Sequence, residues 1–317
     1  MAPSALDPVP IPRKAKGLPK VPDLDSRTVT TDEVVQALIV AGGCILRHAA
    51  TPDQLAAIEA DTRPWIEEDL PWKGEGFPEQ TRRVCGLAGK SKAFTETVIC
   101  NRLLQDVSAV LLSSTFTMWN GDKKVTSVAR PQLNNTVVFS IGPGAGDQGL
   151  HRDDIIHHNH LPPITASEYK IGRDVGIGYF IAGKQTTKAN GATRFIPGSH
   201  LWGPLEPQPD ESLCVYAELE PGDAFIMLSS AYHGGSANTT VDEERLVYSC
   251  FMAKGLLKQE ENQYLANDTQ KIVDMYDIDT LKILGYDMVK PGLGWVNFDT
   301  PLRVLLGDKA VHIDSLY

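Results

Sequence analysis

Hydrophobic positions recur at helical spacing early in the chain and at strand spacing through its middle. Val34, Val35, Leu38 and Ile39 follow Thr30-Thr31-Asp32-Glu33, in which the Thr30 and Glu33 side chains can each bond the other's backbone amide. That capping box predicts a helix start. A second start falls at Thr51, with Pro52 at the first helical position and Leu55, Ile58 and Trp65 on or near one face. Between them residues 42–47 read as a turn and a short strand. Residues 93–113 predict another amphipathic helix through Phe94, Val98, Leu103, Leu104, Val107, Val110 and Leu111. The period then changes. Runs at 136–141, 175–181, 224–228 and 246–252 are rich in β-branched and aromatic residues and bounded by Gly, Pro, Asn and Asp, which predicts strands. Residues 1–27 are proline-rich and aperiodic, and read as a flexible N-terminal arm. Residues 28–317 read as a single domain, mainly β with flanking helices: a sandwich or barrel with a helical N-terminal part and a C-terminal segment wrapping it.

Composition narrows the partners. The chain has 317 residues, 42% hydrophobic and 22% charged, within the globular range. Thirty Lys and Arg against forty Asp and Glu leave a net charge of −10, which repels nucleic acid and anionic membranes. The five cysteines are scattered without a C-x-x-C pair, so neither a disulfide framework nor a zinc knuckle is expected. No apolar run is long enough to span a bilayer, and the start lacks a signal-peptide layout. A cytoplasmic protein is the expectation.

Among eight histidines, His151 stands out because Asp153 follows at i+2. On a strand those two side chains share a face, supplying two metal ligands. His233, just past the strand at 224–228, is the expected third. Two histidines and one carboxylate form the facial triad of non-haem iron(II) oxygenases, with coordination positions left open. Arg245 opens the next strand, where its planar fork suits a carboxylate such as the distal acid of 2-oxoglutarate.

Taken in order, His151-Arg152-Asp153, the Asn-Gly-Ala-Thr run at 190–193, Pro-Gly-Ser-His at 197–200, Pro-Gly-Asp at 221–223 and His-Gly-Gly-Ser-Ala-Asn at 233–238, ending in Arg245, resemble the phytanoyl-CoA dioxygenase-like family of iron(II)/2-oxoglutarate oxygenases. The branch acting in fungal secondary metabolism is the most similar. The resemblance implies a double-stranded β-helix (jelly-roll) core, iron(II) held by His151, Asp153 and His233, and Arg245 on the 2-oxoglutarate carboxylate. It also implies 2-oxoglutarate contacts from Gln148, Thr193 and Gln132, with O2 as the other cosubstrate and no catalytic residue beyond the metal ligands. The implied reaction oxidises an unactivated C–H bond of a small molecule such as a fungal terpenoid or alkaloid, in a homodimer. Alternatives are an acyl-CoA hydroxylase of the same chemistry and a non-catalytic metal- or small-acid-binding β-helix protein.

Several residues take plainer readings. His200 is expected to be structural rather than a ligand. His157, His158 and His160 read as a polar loop, and residues 142–146 as a turn rather than a phosphate cradle. The loops 68–85 and 155–172 and the C-terminal region are expected to select substrate.

Overall fold

The computed structural model describes residues 17–73, 77–205 and 207–307. Twelve strands are assigned among them: β1 (Asp23–Asp25), β2 (Gly43–Arg47), β3 (Thr81–Val84), β4 (Ser114–Asn120), β5 (Lys123–Ala129), β6 (Gln132–Ile141), β7 (Gly176–Ala182), β8 (Thr193–Phe195), β9 (Val215–Tyr216), β10 (Ala224–Leu228), β11 (His233–Gly235) and β12 (Arg245–Ala253). Seven form a large sheet in the order β1-β2-β10-β7-β12-β6-β3; a small sheet runs β11-β8-β9, and β4-β5 is a separate hairpin. All pairings but β1-β2 are antiparallel, giving the jelly-roll expected.

The central strands β7, β10 and β12 are buried on both faces, so they read as nearly unbroken apolar runs rather than as an alternation. Leu246, Tyr248, Cys250 and Met252 of β12 turn to one face with Ile177, Tyr179 and Ile181 of β7, joining a core shared with the helices α1 (Thr31–Ala41) and α2 (Pro52–Glu68) and the helix Arg102–Leu112. The other face carries Phe180, Ala182, Phe225, Met227 and Val247, packed against Phe195 of the small sheet. Gly178 allows this packing, because a Cβ there would meet the Phe180 ring at 2.9 Å and that of Phe251 at 3.2 Å.

Both helix starts carry full capping boxes, Thr30 with Glu33 and Thr51 with Gln54. In α2 the buried residues are Leu55, Ile58, Thr62 and Ile66; Trp65 instead lies on the surface with Lys90 Nζ 4.6 Å over its ring. The helix expected over 93–113 is interrupted. A π-helical turn at Thr95–Ile99 ends it at Cys100, and Asn101 caps a new start through the Leu104 N–H. The hairpin β4-β5 follows where no strand was expected; its two faces are solvated, so it lacks the burial pattern that marks strands elsewhere. Part of the expected arm lies on the body, since β1 pairs in parallel with β2; residues 1–16 fall outside the described residues. No described helix is long and apolar enough to cross a membrane.

Candidate functional site

Between the two sheets lies a cavity of about 350 Å³, within the size range of small-molecule sites. Asn135, Val137, Phe139 and Ile141, alternate residues of β6, line one wall, and Arg245, Val247 and Phe251 of β12 line the next. The same two-residue period that sends the intervening positions to the helical core therefore builds the site.

His151 and His233 enter from two segments zipped together. Gln148 N–H donates to Gly235 O, and the two histidines exchange main-chain bonds, N–H to O, at 2.9 Å each way. His151 is thus an isolated antiparallel bridge, and Asp153 begins a 3₁₀ turn, Asp153–His157, rather than continuing a strand. The triad still converges: its ligand atoms all lie within 4.8 Å of one another, and among the described residues no other such group of three His, Cys, Asp or Glu occurs. His151 Nε2 stands 3.5 Å from Asp153 Oδ1, and His233 Nε2 3.6 Å from Oδ2.

Ring orientation suits a metal. His151 Nδ1 lies 2.8 Å from Gly149 O and His233 Nδ1 3.1 Å from Ala231 O. Carbonyls only accept, so both Nδ1 atoms carry the proton and both Nε2 lone pairs face the cavity. Asp153 Oδ2 is buried without a hydrogen-bond donor, a cost that a cation would remove. In the metal-free site burial pushes the Asp153 carboxyl up, but the imidazoles of His233 and His151, when protonated on Nε2 as well, outweigh it and hold its pKa below the ordinary value. Burial lowers the His233 imidazole.

At the other end Arg245 is 6% exposed. Its Nη2 donates to Thr193 Oγ1 at 2.8 Å, its Nε has no partner, and no described carboxylate pairs with it. Burial alone lowers its pKa to about 10. The neighbouring glutamates are otherwise engaged: Glu244 binds Arg63 and Lys184, and Glu243 accepts from Asn190. A buried cation without an anion, facing a cavity, fits an anionic ligand.

Gln148 and Thr193 both line the cavity, Gln148 with its Oε1 3.4 Å from Gly235 N. Gln132 does not. It lies beyond a β-bulge in the β6-β12 pairing, between Phe251 and Met252, and its side-chain amide donates to Leu257 O at 2.8 Å, which removes it from the expected contacts. His200 is fully buried behind the site, bonded through Nε2 to Ile39 O at 2.9 Å. His157 Nε2 lies 3.2 Å from Lys258 O. Ile155 and Ile156 from one expected loop, and Phe77, Pro78 and Thr81 from the other, do reach the cavity.

Arg194 was not anticipated. Buried under the zipped segments, its Nη2 donates to Gln148 O at 2.8 Å and Asp147 Oδ2 at 2.9 Å, and its Nη1 to Gly235 O. It sits beside Thr193, and nothing in its sequence context separated it from an ordinary strand arginine.

Comparison with known proteins gives a consistent picture. The family model described as phytanoyl-CoA dioxygenase (PhyH) matches residues 30–246. Dioxygenase himG of Aspergillus japonicus is 39% identical, covering 89% of this chain and 89% of its own. Dioxygenase swnH1 of Metarhizium robertsii is 34% identical over 96% of both chains. Among solved structures, HygX of Streptomyces hygroscopicus with nickel, 2-oxoglutarate and hygromycin B bound gives a TM-score of 0.52 at 14% identity, covering 73% of this chain and 90% of that one. The carbocyclase SnoK of nogalamycin biosynthesis gives 0.51 at 14% identity, covering 72% and 85%.

Proposed function

The chain belongs to the phytanoyl-CoA dioxygenase family of iron(II)/2-oxoglutarate oxygenases, and we propose that it oxidises an unactivated C–H bond of a fungal secondary metabolite. The observation that carries this reading is one cavity holding the His151, Asp153 and His233 ligand atoms and, on the same wall as Val247, an unpaired buried arginine. A binding protein for metal alone has no use for the arginine.

In this reading His151, Asp153 and His233 hold iron(II). Arg245 and Thr193 take the distal carboxylate of 2-oxoglutarate through charge-assisted hydrogen bonds. Gln148 adds a polar contact at the same wall. Together iron(II), 2-oxoglutarate and O2 supply the oxidising power for C–H cleavage, with succinate and CO2 as coproducts. The chain's own residues bind, orient and exclude water: Phe139, Phe180, Val247 and Phe251 form apolar walls against which a hydrocarbon skeleton can lie. No side-chain base is required.

The reading extends to a homodimer, for which Phe116, Met118 and Trp119 of the exposed β4-β5 hairpin offer apolar area, and to a cytoplasmic location. Sedimentation velocity and cell fractionation test these. The central test is anaerobic titration of apoprotein with iron(II) and 2-oxoglutarate, following the visible charge-transfer band of the chelate. The band is expected in the native protein and lost in His233→Ala; iron binding without the band would overturn the proposal.

A further inference from the structure

One carboxylate on the cavity wall has no part in the scheme above. Glu260 lies on the segment after β12 and faces the cavity near its rim. Its backbone N–H donates to Asn134 Oδ1 at 2.9 Å. The Nδ2 groups of Asn134, at 3.2 Å, and of Asn135 both donate to its Oε2. Adjacent residues of a regular strand point to opposite faces and would not share one partner. Here the β6-β12 register jumps, with Asn135 opposite Phe251 but Leu133 opposite Met252, so Asn134 is the extra residue of a bulge. The bulge re-aims it beside Asn135, and the two amides fix the carboxylate.

With Oε2 held, Oε1 has no donor among the described residues, and Glu260 forms no ion pair with a described Lys or Arg. Glu260 itself is exposed, whereas Asn135 Oδ1 is buried without a donor. Around them stand Ile155, Ile156, Val137 and Phe251. Beyond the two amides spent on Oε2 and the His157 imidazole nearby, this wall is apolar and offers acceptors, the inverse of the Arg245 wall. An apolar or anionic ligand filling the cavity would strip water from the carboxylate and return nothing, and a neutral hydroxyl would return only a weaker hydrogen bond. A protonated amine would return a charge-assisted hydrogen bond.

We propose that Glu260 is a specificity-determining residue that pairs with a protonated amine, so that the primary substrate is a basic, nitrogen-bearing compound with an apolar skeleton. The inference rests on the oxygenase reading of the same cavity and narrows its substrate class. It disfavours an acyl-CoA, whose phosphates would approach a negative rim on a chain of net charge −10.

The test is isothermal titration of the protein loaded with nickel(II), which binds without turnover, and 2-oxoglutarate. The probes are 4-phenylbutylamine, 4-phenylbutanol and 4-phenylbutanoate, which differ only in the terminal group. The amine is expected to bind about tenfold or more tighter than the alcohol. Glu260→Gln should abolish that preference, and Glu260→Lys should shift it to the carboxylate, both with unchanged 2-oxoglutarate affinity. Equal binding of amine and alcohol, absence of amine binding, or a preference that survives Glu260→Gln overturns the inference while 2-oxoglutarate still binds. Failure of 2-oxoglutarate to bind the metal-loaded native protein overturns the oxygenase reading, and the inference with it.

Discussion

His151 and His233 face each other across a two-way main-chain bridge, each N–H on the other's carbonyl at 2.9 Å. The imidazoles, with ring centroids 4.5 Å apart, are therefore held by backbone rather than by side-chain packing alone.

Because the bridge does not depend on the side chains, Ala at either position removes a ligand and leaves the scaffold. His151→Ala, Asp153→Ala and His233→Ala are each expected to fold, with circular dichroism matching the native protein, and to lose iron(II) binding and substrate-dependent succinate release. Undiminished succinate formation by Asp153→Ala would refute the ligand assignment.

Arg245 carries a second expectation with an unusual sign. A buried guanidinium without an anion disfavours the folded state, so Arg245→Met should be no less stable than the native chain when 2-oxoglutarate is absent. With saturating 2-oxoglutarate and metal, the native Tm should rise by linkage and that of the variant should not. The 2-oxoglutarate requirement of the variant should increase by about a hundredfold, from the loss of roughly 3 kcal/mol of charge-assisted bonding. Thermal scans at several 2-oxoglutarate concentrations separate the two effects.

Arg194 clamps the carbonyls of Gln148 and Gly235, the residues that flank the histidine bridge. Arg194→Met should weaken metal affinity about tenfold, as loss of a ligand-orienting partner does. Arg194→Lys, which keeps the charge but not the fork, should rescue little of it. Metal titration of the two variants is the measurement; native affinity in Arg194→Met would assign the residue to surface pairing with Asp147 and Glu211 alone.

His200 predicts a pH dependence of stability. Burial pushes its imidazole from the ordinary 6.5 down to about 4, the hydrogen bond to Ile39 only partly opposing this. Between those values the unfolded chain binds a proton that the folded one refuses, so stability falls as pH drops from 6.5 towards 4. His200→Gln should flatten that limb of the denaturation midpoint against pH and leave iron binding intact. An unchanged limb would place the acid sensitivity in other groups.

Much of this was legible in sequence because period and burial agreed. The runs at 136–141, 175–181, 224–228 and 246–252 are sheet strands covered on both faces, and the Thr30 and Thr51 caps are local motifs that need no tertiary help. What escaped depended on long-range partners. The β4-β5 hairpin has no buried face to impose a pattern, and the break at Cys100 follows from a π-turn that amphipathicity does not register. Gln132 was expected at the cavity, but its side-chain amide is tied to Leu257 O, a partner that local pattern does not announce. The bulge at Asn134, equally silent in the local pattern, created the paired amides on Glu260.

The strand order of the large sheet bears on how the protein acquires its metal. β2, near the start of the chain, completes its pairing only with β10, Cys44 opposite Ile226, and β6 only with β12. Such distant pairings make for slow folding, since the loop entropy is lost before the contacts form. A nascent chain emerging from the ribosome holds His151 and Asp153 long before β11 and β12 exist. On the proposed ligand set, iron capture waits for a finished sheet that brings His233 and Arg245 to the site together, and an incomplete translation product holds no complete triad.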